Sequence, residues 1–375
     1  MKKLIILLLC IFMITGCNKE PEISPEEKYY NHILEEVEKD TLSYTHYYYQ
    51  QLTDQQKAIY VQIYEVVTGK AEFTTFFQEV HLRDYTIAGH YFYLDMPLYF
   101  HTHYLTSNFV GYTAKEIVVN EEPEEGVLDE LDKKADDIIA TMPEGLSDYD
   151  KVKWIFDWVI DNTEYDLNAE NNQDIRSVFM TGKSVCAGYA RAFQFLCQKA
   201  GIEAGYISGA ATNNIQESDF HAWSFVKVDD KYYWVDPTWG DKYYYTDYSY
   251  MCITDEELFK SRNMLLIIRG PEFFIGEDII AVPKCTDDSL NYFKKNNCYF
   301  DRYNYNTFLN FVLEHKDEKY FLCQFESSQL PDALKHLFEN EEVFDILFEA
   351  YPNRAEIGVY YDYDEVTGTL YIEPY

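Results

Sequence analysis

No Cys-x-x-Cys pair occurs in this chain of 375 residues, although it holds eight cysteines. Their wide, irregular spacing argues against a zinc cage and against a dense disulfide framework. A single bridge, such as Cys285 to Cys298, stays open. A bilayer-spanning run is also missing at the amino end: the apolar stretch Leu4 to Ile14 is shorter than the roughly 20 residues such a helix needs. Positive charge is scarce, with 31 Lys and Arg against 65 Asp and Glu and a formal net charge of −34. So acidic a surface repels phosphate backbones, which excludes nucleic acid as a natural partner. There is no internal repeat and no low-complexity segment. Hydrophobic residues make up 47%, enough for packed cores and too many for a disordered acidic chain.

Lys2 and Lys3 precede the apolar run, which ends in Ile14-Thr15-Gly16-Cys17. This is the layout of an export signal over residues 1–16. The last four residues resemble a bacterial lipobox, which implies that Cys17 is alkylated with diacylglycerol and becomes the first mature residue. The protein would then be held at the extracellular face of the cell membrane by lipid alone. An ordinary secretory signal with an incidental Cys17 is the alternative.

Beyond it, residues 17–42 read as a polar tether and first helix, and 43–125 as a mainly helical N-terminal extension. Thr53 and Gln56 form a capping-box pattern, and Gly69 offers a stop. The aromatic run "HYFYLDMPLYFHTHYL", 90–105, reads as strand, with His101 and His103 on one face. Two histidines without a third ligand read as ordinary residues and not as a metal site. Residues 121–126 form a linker. A core follows over 126–275, opening with a helix striped by Val152, Ile155, Phe156 and Val159. Residues 276–375 read as a small α+β domain that ends in two strands joined by a turn near Gly368.

The chemistry concentrates in "TGKSVCAGYARAF", 181–193. Gly182-Lys183-Ser184 matches the tail of a phosphate loop, but the glycine required five positions earlier is replaced by Ser177. Ala190, Phe193 and Cys197 mark an apolar stripe, and Gly201 ends a helix that starts near Val185 with Ser184 placed to cap it. Cys186 therefore falls in the first turn, where the helix dipole favours thiolate. Cys197, along the packed stripe, reads as buried and inert.

A partner lies in "HAWSFVKVDDKYYWVDPTW", 221–239. Two alternating runs flank Asp229-Asp230, the pattern of a hairpin with a tight turn. A two-residue loop sets Val228 against Lys231 and Trp223 against Asp236. His221 then shares a sheet face with Asp236 as its diagonal neighbour. A carboxylate beside an imidazole fixes its tautomer, and the imidazole can take a proton from a thiol and return it to a leaving group.

In this order "VCAGYARAF", "HAW" and "WVDPTW" resemble the transglutaminase-like superfamily, relatives of the papain-type cysteine proteases. The resemblance is strongest over 146–260. It implies an α+β fold with a papain-like core, the cysteine helix packed on an antiparallel sheet. It further implies Cys186 as nucleophile, His221 as general base, and Asp236 as the residue orienting that base. The implied chemistry is acyl transfer on peptide or protein amides through a thioester, with hydrolysis and transamidation both open. Cell-wall or surface polypeptides are among the implied substrates, and no metal or organic cofactor is called for. The backbone N–H of Cys186 would serve the oxyanion hole, with Gln173 as a side-chain candidate. Trp223 and Trp239 flank the site as packing or shaping residues. The chain departs from the family pattern at Ser224, where many relatives have Asn, and at Asp229-Asp230, where they have Asp-Gly. Neither departure touches the three named residues. The competing readings are an inactive surface-binding module on the same fold, and a scaffold whose flanking domains carry the function.

Overall fold

The computed structural model describes residues 23–40, 45–214, 217–264, 267–268 and 278–375. Residues 1–16, read above as an export signal, and Cys17 lie outside the described residues. Among those residues no helix is long and apolar enough to cross a membrane.

Ser24 caps α1 (Pro25–Lys39), accepting from the Glu27 N–H at 3.1 Å. After the short α2 (Tyr47–Gln50), Thr53 and Gln56 form the reciprocal cap of α3 (Asp54–Val67), and Gly69 follows in the left-handed region at φ 69°. Strand β1 (Thr75–His81) leads into α4 (Leu82–Asp95). Much of the aromatic run read as strand is thus helix. Leu82, Tyr85, Ala88, Tyr91, Phe92 and Asp95 recur at helical spacing and are buried together, so packing of that face overrides the strand preference of aromatics. His101 lies on a 3-10 turn, Phe100–Tyr104, so the expected shared strand face of His101 and His103 does not exist. Among the described residues no group of three or more His, Cys, Asp or Glu is placed to hold a metal. β2 (Leu105–Val110) and β3 (Thr113–Val119) complete an antiparallel sheet in the order β1-β3-β2.

The central region opens with α5 (Val127–Ile139) and α6 (Asp148–Asp161). Two short parallel strands, β4 (Glu164–Tyr165) and β5 (Lys183–Ser184), lead to α7 (Cys186–Lys199). Then come β6 (Ala204–Asn214), β7 (Glu217–Val228), β8 (Lys231–Val235), the one-turn α8 (Pro237–Gly240), β9 (Met251–Ile253) and β10 (Arg262–Met264). The antiparallel sheet runs β10-β6-β7-β8-β9. One side of it carries α7 and α6 around Phe156, Val159, Phe193, Leu196, Val226 and Val235.

Ile207, Trp223, Phe225 and Trp234 belong instead to a core shared with the N-terminal extension, where Tyr47, Tyr48 and Tyr91 pack. The extension is also tied to α7 by polar contacts. A helix leaves its last carbonyls without donors of its own, and those of α4 are met by one face of α7. Arg191 Nη1 donates to Tyr93 O at 3.0 Å, Gln194 Nε2 to Leu94 O at 2.7 Å, and Gln198 Nε2 to Asp95 O at 2.8 Å.

The C-terminal residues form a separate core around Phe293, Phe308, Phe321, Phe325 and Leu370. Its sheet orders the strands Tyr299–Phe300, Phe321–Phe325, Thr369–Pro374 and Val359–Asp364. The last two are joined by a turn in which Gly368, at φ 81°, passes so close to Phe325 O that a Cβ would sit 2.0 Å from it. Cys285 lies in the first core and Cys298 in this one, both as free thiols, so the bridge left open above is not made.

Candidate functional site

Val185, in extended backbone, is the N-cap of α7, and Cys186 is its first helical residue. Ser184 does not cap the helix. Its hydroxyl lies 2.7 Å from Ser177 Oγ and donates to Asn172 O at 3.2 Å, locking the loop before the cysteine. This packing requires Gly188, because a Cβ there would fall 1.9 Å from Ser184 Oγ. With valine at the cap position, no cap side chain accepts from the first-turn N–H groups. Cys186 is partly exposed, whereas Cys197, Cys252, Cys285, Cys298 and Cys323 are buried. Burial pushes the Cys197 thiol far up and that of Cys252 to about 12, which makes both inert.

The hairpin has Val228 opposite Lys231 and Ser224 opposite Val235, the register expected from a two-residue loop. Asp229 and Asp230 take φ of 51° and 60°, the doubly left-handed turn that matches strand twist. Aspartate tolerates this conformation better than most residues, so the turn forms without a glycine. Ser224 points away from His221 and donates to Ala190 O at 2.9 Å, bracing α7 against the sheet.

His221 Nε2 lies 2.7 Å from Asp236 Oδ2, and the Cys186 side chain is near enough to act on the charge of the ring. With Nε2 committed to the carboxylate, Nδ1 is the nitrogen left for sulfur. Burial opposes a charge on His221, but the Asp236 carboxylate and then the cysteine outweigh it, and its pKa is pushed up to about 9. Asp236 is fully buried, which alone would raise its pKa. The positive charges of His221 and Arg262 hold it well below the usual carboxylate range.

Arg262 carries no signal in the sequence. It stands 26 residues beyond Asp236 and meets it only because β10 pairs with β6, Arg262 against Ala211. Tyr165 carries no sequence signal either; its ring borders the site, where Cys186, Asp219 and Asp236 act on its hydroxyl. The two tryptophans have separate jobs. Trp223 is buried, its ring 5.9 Å from that of His221, while the Trp239 ring lies 5.6 Å from His221 and the Trp239 backbone N–H donates to Asp236 Oδ1 at 3.1 Å. Gln173, the side-chain oxyanion candidate, is exposed and donates to Asn172 Oδ1 at 2.9 Å, not toward the thiol.

The arrangement supplies a thiol at a helix tip, an imidazole able to take and return a proton, and a fixed carboxylate behind it. These are the parts of nucleophilic acyl transfer.

Residues 136–237, which include all three groups, match the family model described as Transglutaminase-like superfamily. Kyphoscoliosis peptidase of Mus musculus is 32% identical over 130 residues, which is 32% of this chain and 20% of that protein. The chain thus spans about a fifth of the length of this curated relative. Among solved structures, a candidate cysteine protease from Cytophaga hutchinsonii shares 28% identity over 29% of this chain and 37% of the other, at a TM-score of 0.25. A crystal structure of a TGase shares 16% identity over 36% and 43% of the two chains, at 0.28. The family model spans the cysteine helix and the hairpin of the antiparallel sheet, so the mixed α+β architecture holds a transglutaminase-like core there, and this part of the chain is similar to the transglutaminase-like superfamily.

Proposed function

We propose that this chain is a cell-surface lipoprotein that performs acyl transfer on peptide or protein amide bonds, with Cys186 as nucleophile, His221 as acid and base, and Asp236 orienting His221. The observation that carries this reading is the His221 ring, held between a partly exposed sulfur and a buried carboxylate. The thiolate attacks the amide carbonyl, and the N–H groups at the tip of α7 face the developing oxyanion. His221 gives its Nδ1 proton to the departing nitrogen, the C–N bond breaks, and a thioester remains. Water or a second amine then loses a proton to His221, attacks the thioester, and releases the thiolate. Lys2, Lys3, the apolar run and Ile14-Thr15-Gly16-Cys17 support a lipid tether at the outer membrane face.

The test is alkylation of the full chain in detergent by a thiol-directed electrophile at neutral pH, with labelled peptides mapped. Cys186 should react at least tenfold faster than Cys197 and slow by a similar factor in His221→Ala. Equal rates at both thiols, unmoved by the histidine change, would leave a binding module. Ammonia release with or without uptake of a labelled amine separates hydrolysis from transamidation. Incorporation of a labelled fatty acid, lost in Cys17→Ala, tests the tether.

A further inference from the structure

Arg262 is fully buried, and its guanidinium reaches the same carboxylate oxygen as the imidazole. Nε lies 3.1 Å from Asp236 Oδ2 and Nη2 also contacts that oxygen, while Nη1 donates to Ser261 Oγ at 2.7 Å. The cation packs over the Trp239 ring at 3.9 Å, with the Tyr250 ring 5.1 Å away. Trp239 in turn holds the other carboxylate oxygen.

We propose that Arg262 is a positioning residue that keeps Asp236 ionised and fixed while His221 is neutral, and so lets His221 release its proton to a leaving group. This rests on the acyl-transfer reading above. During the reaction the imidazole alternates between charged and neutral. While charged, it is the partner of Asp236. Once neutral, it would leave a buried carboxylate with no cation, a strongly disfavoured state. The imidazole would then be held as the permanent partner of both Asp236 and the thiolate. An arginine does not lose its charge in proteins. Its presence on Oδ2 offsets the carboxylate in both halves of the cycle and weakens the grip of Asp236 on the imidazolium. The remaining groups around the pair are Cys186 on α7, Tyr165 and Asp219 beside it, and Tyr250 behind Arg262 with Asp247, Asp364 and Lys242. Lys242, 5.3 Å from the Tyr250 ring, is committed to Asp364 Oδ2 at 3.4 Å, and the positive charge acting on Asp236 comes from His221 and Arg262.

The distinguishing experiment compares two readouts on the full chain in detergent: the pH profile of Cys186 alkylation by iodoacetamide, and turnover of peptide amides by ammonia release. Alkylation needs only the thiolate, whereas turnover also needs the proton to leave His221. In Arg262→Met, alkylation at pH 7 should stay within about threefold while turnover falls about 100-fold. The upper limb of the alkylation profile should move up by about one pH unit, because losing a nearby positive charge favours the imidazolium. Arg262→Lys should recover part of the turnover, and added guanidinium ion should restore it in Arg262→Ala. Unchanged turnover in Arg262→Met overturns the proposal. So does an equal fall in both readouts that neither lysine nor guanidinium relieves, since that marks packing alone. Should the wild type alkylate quickly but turn over no amide, the upper limb still decides: its shift supports the proposal and its constancy overturns it. Slow alkylation of wild-type Cys186 would instead sink the triad itself.

Discussion

Two aspartates of this molecule are equally buried and have opposite protonation behaviour. Asp236, behind His221, and Asp95, at the end of α4, are both 0% exposed. Asp95 accepts the N–H groups of Tyr48 and Tyr49 at 3.1 and 2.7 Å and the Tyr60 hydroxyl at 3.3 Å. Three neutral donors do not cancel the loss of water, and burial pushes its carboxyl up to about 8. Asp236 has one neutral donor, Trp239 N–H, and two groups that bring positive charge, and it is held below the ordinary range. Counter-charge, and not the number of hydrogen bonds, decides whether a carboxylate survives burial here. The site therefore owns a carboxylate that stays charged across ordinary pH, while the joint between the N-terminal extension and α7 carries a proton near neutrality.

The hardest test of that contrast is removal of the charge at each place. Asp236→Asn leaves Arg262 and His221 facing a neutral group, so turnover should fall by about 10³–10⁴. Stability should drop by about 3–5 kcal/mol. Asp95→Asn, which removes no ion pair, should cost under about 2 kcal/mol at pH 7. Urea unfolding of the two variants checks the difference, and equal costs would break the comparison.

A second test uses pH. The folded pKa of Asp95 lies above its unfolded value of about 3.9, so the native state holds a proton that the unfolded chain has lost. Stability should decline as pH climbs from about 4 toward about 8, by up to about 5 kcal/mol, and Asp95→Asn should remove that decline. Unfolding midpoints read as wild type minus variant cancel the general repulsion of an acidic chain.

His221 shows the same sign at a higher window. Its folded pKa, about 9, exceeds the unfolded value of about 6.5. Its contribution is complete below about pH 6.5 and is lost as pH rises through about 9, amounting to about 3 kcal/mol. The difference between wild type and His221→Gln over pH 6 to 10 should trace that loss. A flat difference would mean that Asp236 does not hold the imidazolium.

The smallest expected effect calibrates the rest. Thr53→Ala removes the cap of α3, next to the Asp95 joint, and should cost about 1 kcal/mol without altering Cys186 alkylation.

Much of the site was legible because its parts are local. The helix tip at Cys186, the two-residue turn at Asp229-Asp230 and the alternation from His221 to Asp236 each follow from spacings of a few residues. Ser184 shows where local reading stops. It stands where a cap belongs, yet Ser177 and Asn172, brought close by the loop, take its hydroxyl. The run through α4 failed differently: its aromatics favour strand locally, and only the buried face toward α3 and the central sheet makes them helical.

By itself, the order of residues determined which side chains share a hairpin face and which cysteine sits at a helix start, because backbone geometry repeats every two or every 3.6 residues. Only the tertiary structure decided the charge states of Asp236 and Asp95. Those depend on whether a cation reaches a buried oxygen. Arg262 reaches Asp236 across a sheet edge that no local period describes, whereas Asp95 has only neutral donors at hydrogen-bond distance.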